Sequence, residues 1–379
     1  MRITFFSNFL NHHQLPFCLE MLKIIGDSYK FVATEKIPEE RIKLGYEDMN
    51  EKYDFVIRSY ENMDEAMKLA DESDVVIIGS APQKMILNRL RCGKLTFRYS
   101  ERIYKNKFDL KMWALVIKNI TFKERKNVYL LCASAYSAYD YNKSFAFVGK
   151  TYKWGYFPEI KEYDIKKIIN KKENKSILWV GRFLSWKHPE LVVELAKKLR
   201  NNNYCFNIKM IGTGEEKNRI EIMIKENNLD TNIKLLDSMS PEKVRNYMEE
   251  SSIFLFTSDR GEGWGAVLNE SMNSGCAVVA SHEIGSVPFM IKDNENGMIY
   301  EDGNNEDLYN KVSFLLDNSY ECQRLGTNAY NTMIKLWNPK ISARRLVNLS
   351  KKLLNNNSVD AYKDGPCSFA GKLKDNWYK

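Results

Sequence analysis

The sequence lacks the patterns that bind a metal ion, form a disulfide framework or cross a membrane. Its seven cysteines are scattered and form no C-x-x-C pair, and its four histidines include no H-E-x-x-H spacing. The longest apolar runs, such as 112–117, are far shorter than the ~20 residues that span a bilayer. The first apolar run of the chain is also too short for a signal peptide. These absences predict free thiols in a reducing cytoplasm, no metal site and no membrane-spanning segment.

The composition is that of a folded globular chain with a basic net charge. Apolar residues make up 44 % of the 379 residues, which excludes a disordered or collagen-like chain. At roughly 150 residues per domain, this length predicts two domains. The net charge of +8 favours an anionic partner without saying which one.

Short apolar runs alternate with segments of helical periodicity along the chain, which predicts an α/β fold. The runs form two series of predicted buried strands. The first series lies at 2–7, 30–34, 74–80, 94–97, 127–133 and 144–149, and the second at 176–182, 207–212, 232–236, 253–258 and 277–281.

Two series of this kind predict two Rossmann-like domains that face each other across a central cleft. Ligands bind in such folds at the carboxyl ends of the strands. The charged stretch between the series contains a Gly and a Pro, which is typical of a linker. The predicted organisation is an N-terminal domain over 1–150, a linker over 151–175, a C-terminal domain over 176–337, a helix over 338–356 and a tail over 357–379.

The most informative motif lies at 257–281, where a strand runs into a glycine-containing loop, a helix and another strand. Glycines allow backbone amides to approach a ligand closely, and a helix N-terminus favours an anionic group. Glu262 precedes the helix and Glu270 lies inside it, so both carboxylates can reach one bound molecule and accept bonds from sugar hydroxyls. The alternative is an ordinary strand–loop–helix in which the glycines only make the turn.

A second motif at 179–199 places two cations after the first strand of the C-terminal series. Arg182 and Lys187 could neutralise a diphosphate, most strongly when charge develops on it as a leaving group. The alternative is a pair of solvated surface charges. His188 and Pro189 fit a helix start better than a catalytic role. A turn at 212–214 can also present amides, but it lacks the third glycine of an NAD fingerprint.

Taken in order, these motifs resemble family 4 retaining glycosyltransferases of GT-B fold, most specifically over 176–317. The resemblance implies a nucleotide-sugar donor held by the C-terminal domain and a segment beyond 338 that crosses back to the N-terminal domain. It implies that Arg182 and Lys187 bind the diphosphate, that Glu262 faces the donor sugar and that Glu270 binds the ribose. Glu262, Arg182 and Lys187 are the expected catalytic residues, and the expected donor-binding residues are Gly181, Gly212, Gly214, Gly265, Ala266, Val267, Leu268 and Glu270.

The N-terminal domain departs from the family at one place. Many members carry a histidine after an N-terminal strand, whereas the equivalent stretch here, 96–102, has none. Polar residues near the two relevant strands are the candidates for the acceptor side. For His12 and His13 the alternative is a polar helix start at the surface. These acceptor-side candidates are His12, His13, Arg98, Ser100 and Glu101.

The positive charge is concentrated in the segment 84–126, which has a net charge of +10 and interleaved aromatic residues. A basic, aromatic-bearing face could bind an anionic membrane and admit a lipid-linked acceptor. The alternative is a set of solvated helix flanks over core residues. No nucleic-acid motif accompanies the charge, so no nucleic-acid partner is expected.

The resulting hypothesis is a cytoplasmic enzyme, peripheral on the inner face of the membrane, that moves a hexose with retention onto a surface glycan or lipid-linked acceptor. The expected donor is a UDP- or GDP-linked sugar, with no cofactor and no metal. Two alternatives stay open: a sugar-nucleotide epimerase of the same fold, and a non-catalytic scaffold that binds glycans or membranes.

Overall fold

Each of the two structural units contains one parallel β-sheet. The computed structural model describes residues 1–39, 42, 47–105, 127–143, 145–357 and 362–378. Unit 1 comprises Met1–Glu159 and Asn338–Lys374, and unit 2 comprises Ile160–Trp337 and Asp375–Lys379.

The sheet of unit 1 has seven strands in the order β3-β2-β1-β4-β5-β6-β7. Its inner strands are rich in buried Val, Ile and Phe on both faces, as expected for parallel strands covered by helices. The strands are β1 (Ile3–Ser7), β2 (Tyr29–Ala33), β3 (Val56–Arg58), β4 (Val75–Ile78), β5 (Thr96–Ser100), β6 (Val128–Cys132) and β7 (Thr151–Lys153).

The described helices of unit 1 include one contributed by the far end of the chain. That helix, Pro339–Leu354, packs against Leu15–Ile25. It begins where the Asn338 side chain accepts a hydrogen bond from the Ile341 amide, with proline in its first turn. The predicted return of the chain to the N-terminal domain is therefore confirmed. The helices are α1 (Leu15–Ile25), α2 (Met49–Lys52), α3 (Met63–Glu72), α4 (Leu87–Arg91), α5 (Ser137–Asn142) and, last in the chain, α14 (Pro339–Leu354).

Unit 2 has a six-stranded parallel sheet in the order β10-β9-β8-β11-β12-β13. Its strands are β8 (Glu173–Val180), β9 (Asn207–Ile211), β10 (Ile233–Leu236), β11 (Ser251–Phe256), β12 (Ala277–Ser281) and β13 (Met298–Tyr300). Its described helices are α6 (Ile165–Lys171), α7 (Pro189–Asn201), α8 (Lys217–Glu226), α9 (Pro241–Glu250), α10 (Val267–Asn273), α11 (Val287–Met290), α12 (Asn305–Asp317) and α13 (Ser319–Lys335).

The boundary between the units differs from the predicted linker 151–175. That stretch contains β7 and α6, and the chain passes from unit 1 to unit 2 after Glu159. The edge strand β7 is short and polar, so its sequence shows no apolar run. The chain end supplies its antiparallel partner, because the Thr151 hydroxyl donates to the Ala370 carbonyl at 2.7 Å and Tyr152 pairs with Phe369.

The predicted strand at 144–149 is wrong in its described residues. Phe145 and Phe147 have φ angles of 59° and 53°, which belong to the left-handed region and are incompatible with an extended strand. The Phe145 amide donates to the Asn142 carbonyl, which makes a turn after α5. Apolar side chains at a turn gave the segment the composition of a strand.

The basic segment 84–126 is described only as far as residue 105, and two of its cations there are buried. Arg89 donates hydrogen bonds to the carbonyls of Ala70, Ser73, Asp74 and Leu95. Arg102 lies 3.5 Å from the buried carboxylate of Asp140. The interleaved residues Leu90, Leu95, Phe97 and Tyr104 also belong to the core.

This part of the segment is therefore partly internal, because β5 lies inside the sheet. The rest of the segment, with Phe108, Met112 and Trp113, lies outside the described residues. Among the helices that the structure describes, none combines the length and apolar character needed to span a bilayer.

Candidate functional site

The loops after β8, β9 and β11 carry most of the predicted donor-side residues. Parallel strands end at the same edge of a sheet, so these loops are neighbours in unit 2. Gly181 and Arg182 follow β8, Gly212 and Gly214 follow β9, and Glu262 follows β11. The sequence motifs are thus collected at one edge of one sheet.

Lys187 and Glu262 form an ion pair at this edge, although 75 positions separate them in the sequence. Their side chains are only 13 % and 11 % exposed. The Ser258 hydroxyl donates to the same Glu262 carboxylate at 3.2 Å, and the Lys187 ammonium lies 4.7 Å from the centre of the Trp186 ring. The two residues that the sequence placed on a donor's diphosphate and sugar are therefore in direct contact.

Backbone hydrogen bonds hold the two loops that carry this pair. The Asp259 amide donates to the Trp186 carbonyl at 3.0 Å. The Thr257 hydroxyl donates to the Lys187 carbonyl at 2.7 Å and accepts from the Trp179 indole nitrogen at 2.9 Å. Because Trp179 is buried in β8, this chain of bonds ties both loops to the sheet core.

Two of the predicted donor-binding glycines are required by packing. Gly212 has φ 145°, and a Cβ there would lie 1.9 Å from the Gly181 carbonyl oxygen. Gly265 has φ 80°, and its Cβ would lie 2.3 Å from the Phe256 ring. Close approach of backbone to backbone or ring leaves room for hydrogen only. At Gly265, the turn-making role that the sequence left open as the alternative is thus present.

Glu270 lies in the first turns of α10, which starts directly after Gly265 and Ala266. Burial raises the pKa of its carboxyl to about 7, and the positive charge of Arg245 partly opposes that rise. Arg245 itself donates to the Asn273 side chain.

The neighbouring positions of α10 are Val267 and Leu268. The Leu268 amide donates to the Gly265 carbonyl at 3.0 Å. That amide is thus bonded within the turn in this structure, and its approach to a donor stays a prediction.

Arg182 is exposed, unlike Lys187. Among the residues that the structure describes, it forms no salt bridge. Its guanidinium is thus available to an anion, and the structure shows no contact between it and the Lys187–Glu262 pair.

A surface cavity of about 470 Å³ opens beside β10, at the same edge of the sheet. It mixes a carboxylate, an ammonium group, a hydroxyl, a side-chain amide and an aromatic ring. Its lining comprises Leu236, Asp237, Ser238, Met239, Lys243, Asn246 and Tyr247.

The sequence did not identify two residues that lie near the predicted donor side, His188 beside the Lys187–Glu262 pair and Arg245 near Glu270. His188 contacts Glu190 and Asp259, which lie on either side of its ring. A histidine before a proline indicated only a helix start, and its partner Asp259 is 71 positions away. Arg245 carried no signal at all, because it lies on an ordinary amphipathic helix.

The end of the chain also lies at this edge of unit 2, where the sequence predicted only a polar tail. Asp375 lies 3.4 Å from the Arg260 guanidinium. The Tyr378 ring stacks on His282 with centroids 5.5 Å apart, and its hydroxyl donates to the Ile299 carbonyl. These residues cover the loops that follow β11 and β12.

The acceptor-side candidates lie in unit 1, after β1 and in or directly after β5. The Tyr156 hydroxyl donates to Glu101 at 2.7 Å, and the Tyr156 ring stacks on His13 with centroids 6.1 Å apart. Lys105 lies 2.8 Å from the other carboxylate oxygen of Glu101. Tyr156, which the sequence did not single out, therefore joins two of the candidates.

The other three candidates lie close by in the chain. His12 packs on His13 with ring centroids 3.7 Å apart. Ser100 accepts a hydrogen bond from the Tyr141 hydroxyl at 2.9 Å. Arg98 lies within β5, on the same face of the strand as Ser100.

The amino-acid sequence matches known proteins mainly in unit 2. Residues 160–332 match the family described as "Glycosyl transferases group 1". An uncharacterized glycosyltransferase of Methanocaldococcus jannaschii is 32% identical over 40% of this chain and 41% of the relative. The poly(ribitol-phosphate) alpha-N-acetylglucosaminyltransferase of Staphylococcus aureus is 26% identical over 45% of this chain and 34% of the relative. The aligned regions span less than half the length of these curated relatives.

Solved structures resemble a larger part of the chain. The crystal structure of Anabaena HepE in complex with UDP superposes with a TM-score of 0.69 at 15% identity, covering 93% of this chain and 100% of that one. This likeness concerns the fold alone. It confirms the predicted α/β fold of GT-B type with two parallel sheets.

Proposed function

We propose, on the premise that residues 160–332 are a glycosyl transferase group 1 domain, that the chain transfers a sugar from a nucleotide-diphosphate donor. The observation that carries the proposal is the Lys187–Glu262 pair at the carboxyl edge of the unit 2 sheet. A cation and a carboxylate in contact at that edge can bind a phosphate and a sugar hydroxyl of one donor.

The donor is proposed to be a UDP- or GDP-linked hexose. Lys187 and Arg182 bind its diphosphate, and Glu270 accepts hydrogen bonds from its ribose hydroxyls. The cavity beside β10 is the proposed place of the base, because it opens at the same edge and offers both hydrogen-bonding and aromatic groups. UDP in the crystal structure of Anabaena HepE supports a uridine donor.

The proposed transfer retains the anomeric configuration, without a covalent enzyme intermediate. The acceptor hydroxyl attacks the anomeric carbon on the face from which the diphosphate departs, and a donor phosphate oxygen takes the acceptor proton. Lys187 and Arg182 stabilise the charge that develops on the leaving diphosphate. Glu262 accepts a hydrogen bond from a sugar hydroxyl and fixes the position of the ring. No metal and no cofactor take part.

The proposed acceptor is a surface glycan or a lipid-linked glycan, bound by unit 1. The group of His13, Tyr156 and Glu101 offers an aromatic face beside a carboxylate, which suits the apolar face and the hydroxyls of a sugar. The Staphylococcus aureus relative, named for its action on poly(ribitol-phosphate), supports a polymeric acceptor.

A cytoplasmic position on the inner face of the membrane completes the proposal. All seven cysteines are free thiols, which suits a reducing compartment. The exposed cations Lys84, Arg91 and Lys94 support contact with anionic lipid. We expect sedimentation with vesicles containing phosphatidylserine that is lost on raising the salt from 0.05 to 0.5 M. Binding that is indifferent to salt would contradict an electrostatic contact.

The function is tested by a screen of UDP and GDP sugars, each with and without oligosaccharide and lipid-linked acceptors. We expect release of the nucleotide diphosphate that depends on an acceptor, and weaker donor binding in Arg182→Ala and Glu270→Ala. Lys225→Ala, an exposed cation on α8, is the matched control. Conversion of a nucleotide sugar without acceptor would support an epimerase. Absence of any nucleotide binding would support a non-catalytic scaffold.

A pH dependence of donor binding follows from the raised pKa of Glu270, about 7 in the nucleotide-free protein. Ribose hydroxyls donate to the ionised carboxylate, so binding favours ionisation, and affinity falls as the carboxyl is protonated. We expect UDP-glucose, whose diphosphate does not titrate in this range, to bind about tenfold more tightly at pH 8 than at pH 6. Titration calorimetry measures the change. Glu270→Gln should give a flat profile, and weaker binding at pH 8 in the parent protein would contradict the role of Glu270.

A further inference from the structure

The His188 ring lies between two carboxylates. Its Nδ1 is 2.7 Å from Glu190 of α7, and its Nε2 is 3.4 Å from Asp259 in the loop after β11. A carboxylate only accepts hydrogen bonds, so both ring nitrogens donate when both carry protons. The contacts therefore fit an imidazolium cation that bridges two elements of unit 2.

His188 and Asp259 each adjoin one member of the Lys187–Glu262 pair. Lys187 directly precedes His188 in the chain. On the other loop, the Glu262 amide donates to the Asp259 carbonyl at 3.0 Å. The side chains of His188 and Asp259 thus join the loop of the cation to the loop of the carboxylate.

We propose that His188 is a positioning residue, which holds Lys187 opposite Glu262 by bridging Glu190 and Asp259. The inference rests on the proposed function, because it assigns Lys187 and Glu262 to the donor. His188 itself touches neither donor nor acceptor in this role. Its effect passes through the spacing of the two loops.

The backbone at His188 supports a specific need for the side chain. Its φ and ψ angles are 48° and 54°, in the left-handed region that glycine adopts at lower cost. A histidine at such a position bears backbone strain that its two side-chain contacts offset.

The two carboxylates keep the ring protonated, although cations also lie nearby. Arg219 of α8 lies 3.4 Å from the Glu190 carboxylate, Arg260 adjoins Asp259, and Asp302 after β13 lies within electrostatic reach of the ring. The hydrogen bonds with Asp259 and Glu190 outweigh burial and raise the pKa of His188 to about 10. The bridge is therefore complete throughout the neutral range and opens only in alkaline solution.

The bridge itself is tested by NMR on the ¹⁵N-histidine-labelled full chain. The chain has four histidines, and His188→Gly identifies the signal of His188 by its loss. We expect both ring nitrogens of His188 to stay protonated above pH 8. A ring that loses its proton near pH 6.5, the ordinary value for histidine, would overturn the bridge.

The positioning role is tested by the affinity for UDP and GDP and by the steady-state kinetics of the screened donor. His188→Gly keeps the left-handed backbone without strain, and Asn203→Gly, another left-handed position (φ 60°) that is exposed, is the matched control. We expect His188→Gly to weaken diphosphate binding at least fivefold and to raise KM for the donor, with the melting temperature near that of the parent. His188→Arg, which keeps a cation between the carboxylates, should recover part of the affinity, and His188→Asn should not.

A folded His188→Gly variant that binds the diphosphate like the parent would overturn the inference. If that variant does not fold, Glu190→Gln is the second test, because it weakens the contact of the His188 ring with its other carboxylate. We expect Glu190→Gln to raise KM for the donor. An unchanged KM in this variant would also overturn the inference. A parent protein that binds neither UDP nor GDP would instead overturn the proposed function. The ring titration needs no ligand, so it decides on the bridge in either case.

Discussion

Lys187→Ala is expected to lower kcat/KM for the nucleotide sugar by about 10³-fold. A charge-assisted hydrogen bond is worth about 1.5–3 kcal/mol, which accounts for a ten- to hundredfold loss of diphosphate binding. A hydrogen-bond donor that points at the charge developing in the transition state contributes about 10²–10³-fold to kcat. The measurement is steady-state transfer with titration of UDP or GDP in parallel.

The same substitution leaves the Glu262 carboxylate, which is 11 % exposed, without its cation. A loss of activity could therefore come from a disturbed loop as well as from the missing charge. Lys187→Ala combined with Glu262→Gln separates the two causes, because the double variant removes the uncompensated charge. We expect it to recover stability but not activity. Parent-like kinetics in the single variant would contradict the role of Lys187.

Arg89→Ala is expected to destabilise unit 1 by about 3–5 kcal/mol. The Arg89 side chain is fully buried, and it donates to four backbone carbonyls and to the Thr96 hydroxyl. Alanine would leave a cavity and several buried acceptors without donors, each of which costs about 1–3 kcal/mol.

Calorimetry of the full chain should show this loss as a drop of about 10 °C in the melting temperature of unit 1. Arg91→Ala is the control, because Arg91 is exposed two positions away on the same helix. Equal melting temperatures for the two variants would contradict a structural role of Arg89. They would support the interpretation of this segment as a purely external basic face.

The sequence predicted the two sheets well because parallel strands buried on both faces are near-continuous apolar runs. β1, β4 and β12 are of this kind. It missed β3, β7 and β13, which have only three residues each, and it failed where apolar residues lie in a turn. Phe145 and Phe147 adopt left-handed backbone without being glycine, so no residue type marked the turn.

At the site, the sequence identified Lys187 and Glu262 separately, through two motifs on different loops. Their contact could not be read from spacing, because it depends on the order in which β8 and β11 pair. For the same reason, the sequence indicated only a helix start at His188. Its partner Asp259 lies on the loop after β11, whereas His188 lies on the loop after β8. The prediction was thus strongest for residues within one strand–loop–helix segment and weakest for contacts between two such segments.

The backbone passes between the two units three times, after Glu159, after Trp337 and after Lys374. A single proteolytic cut therefore cannot release either unit as an intact piece. A recombinant fragment of residues 160–337 would contain the whole unit 2 sheet, but it would lack Asp375 and Tyr378, the partners of Arg260 and His282. Studies of nucleotide binding on an isolated unit 2 thus need the last five residues joined back to it, for example by a short flexible linker.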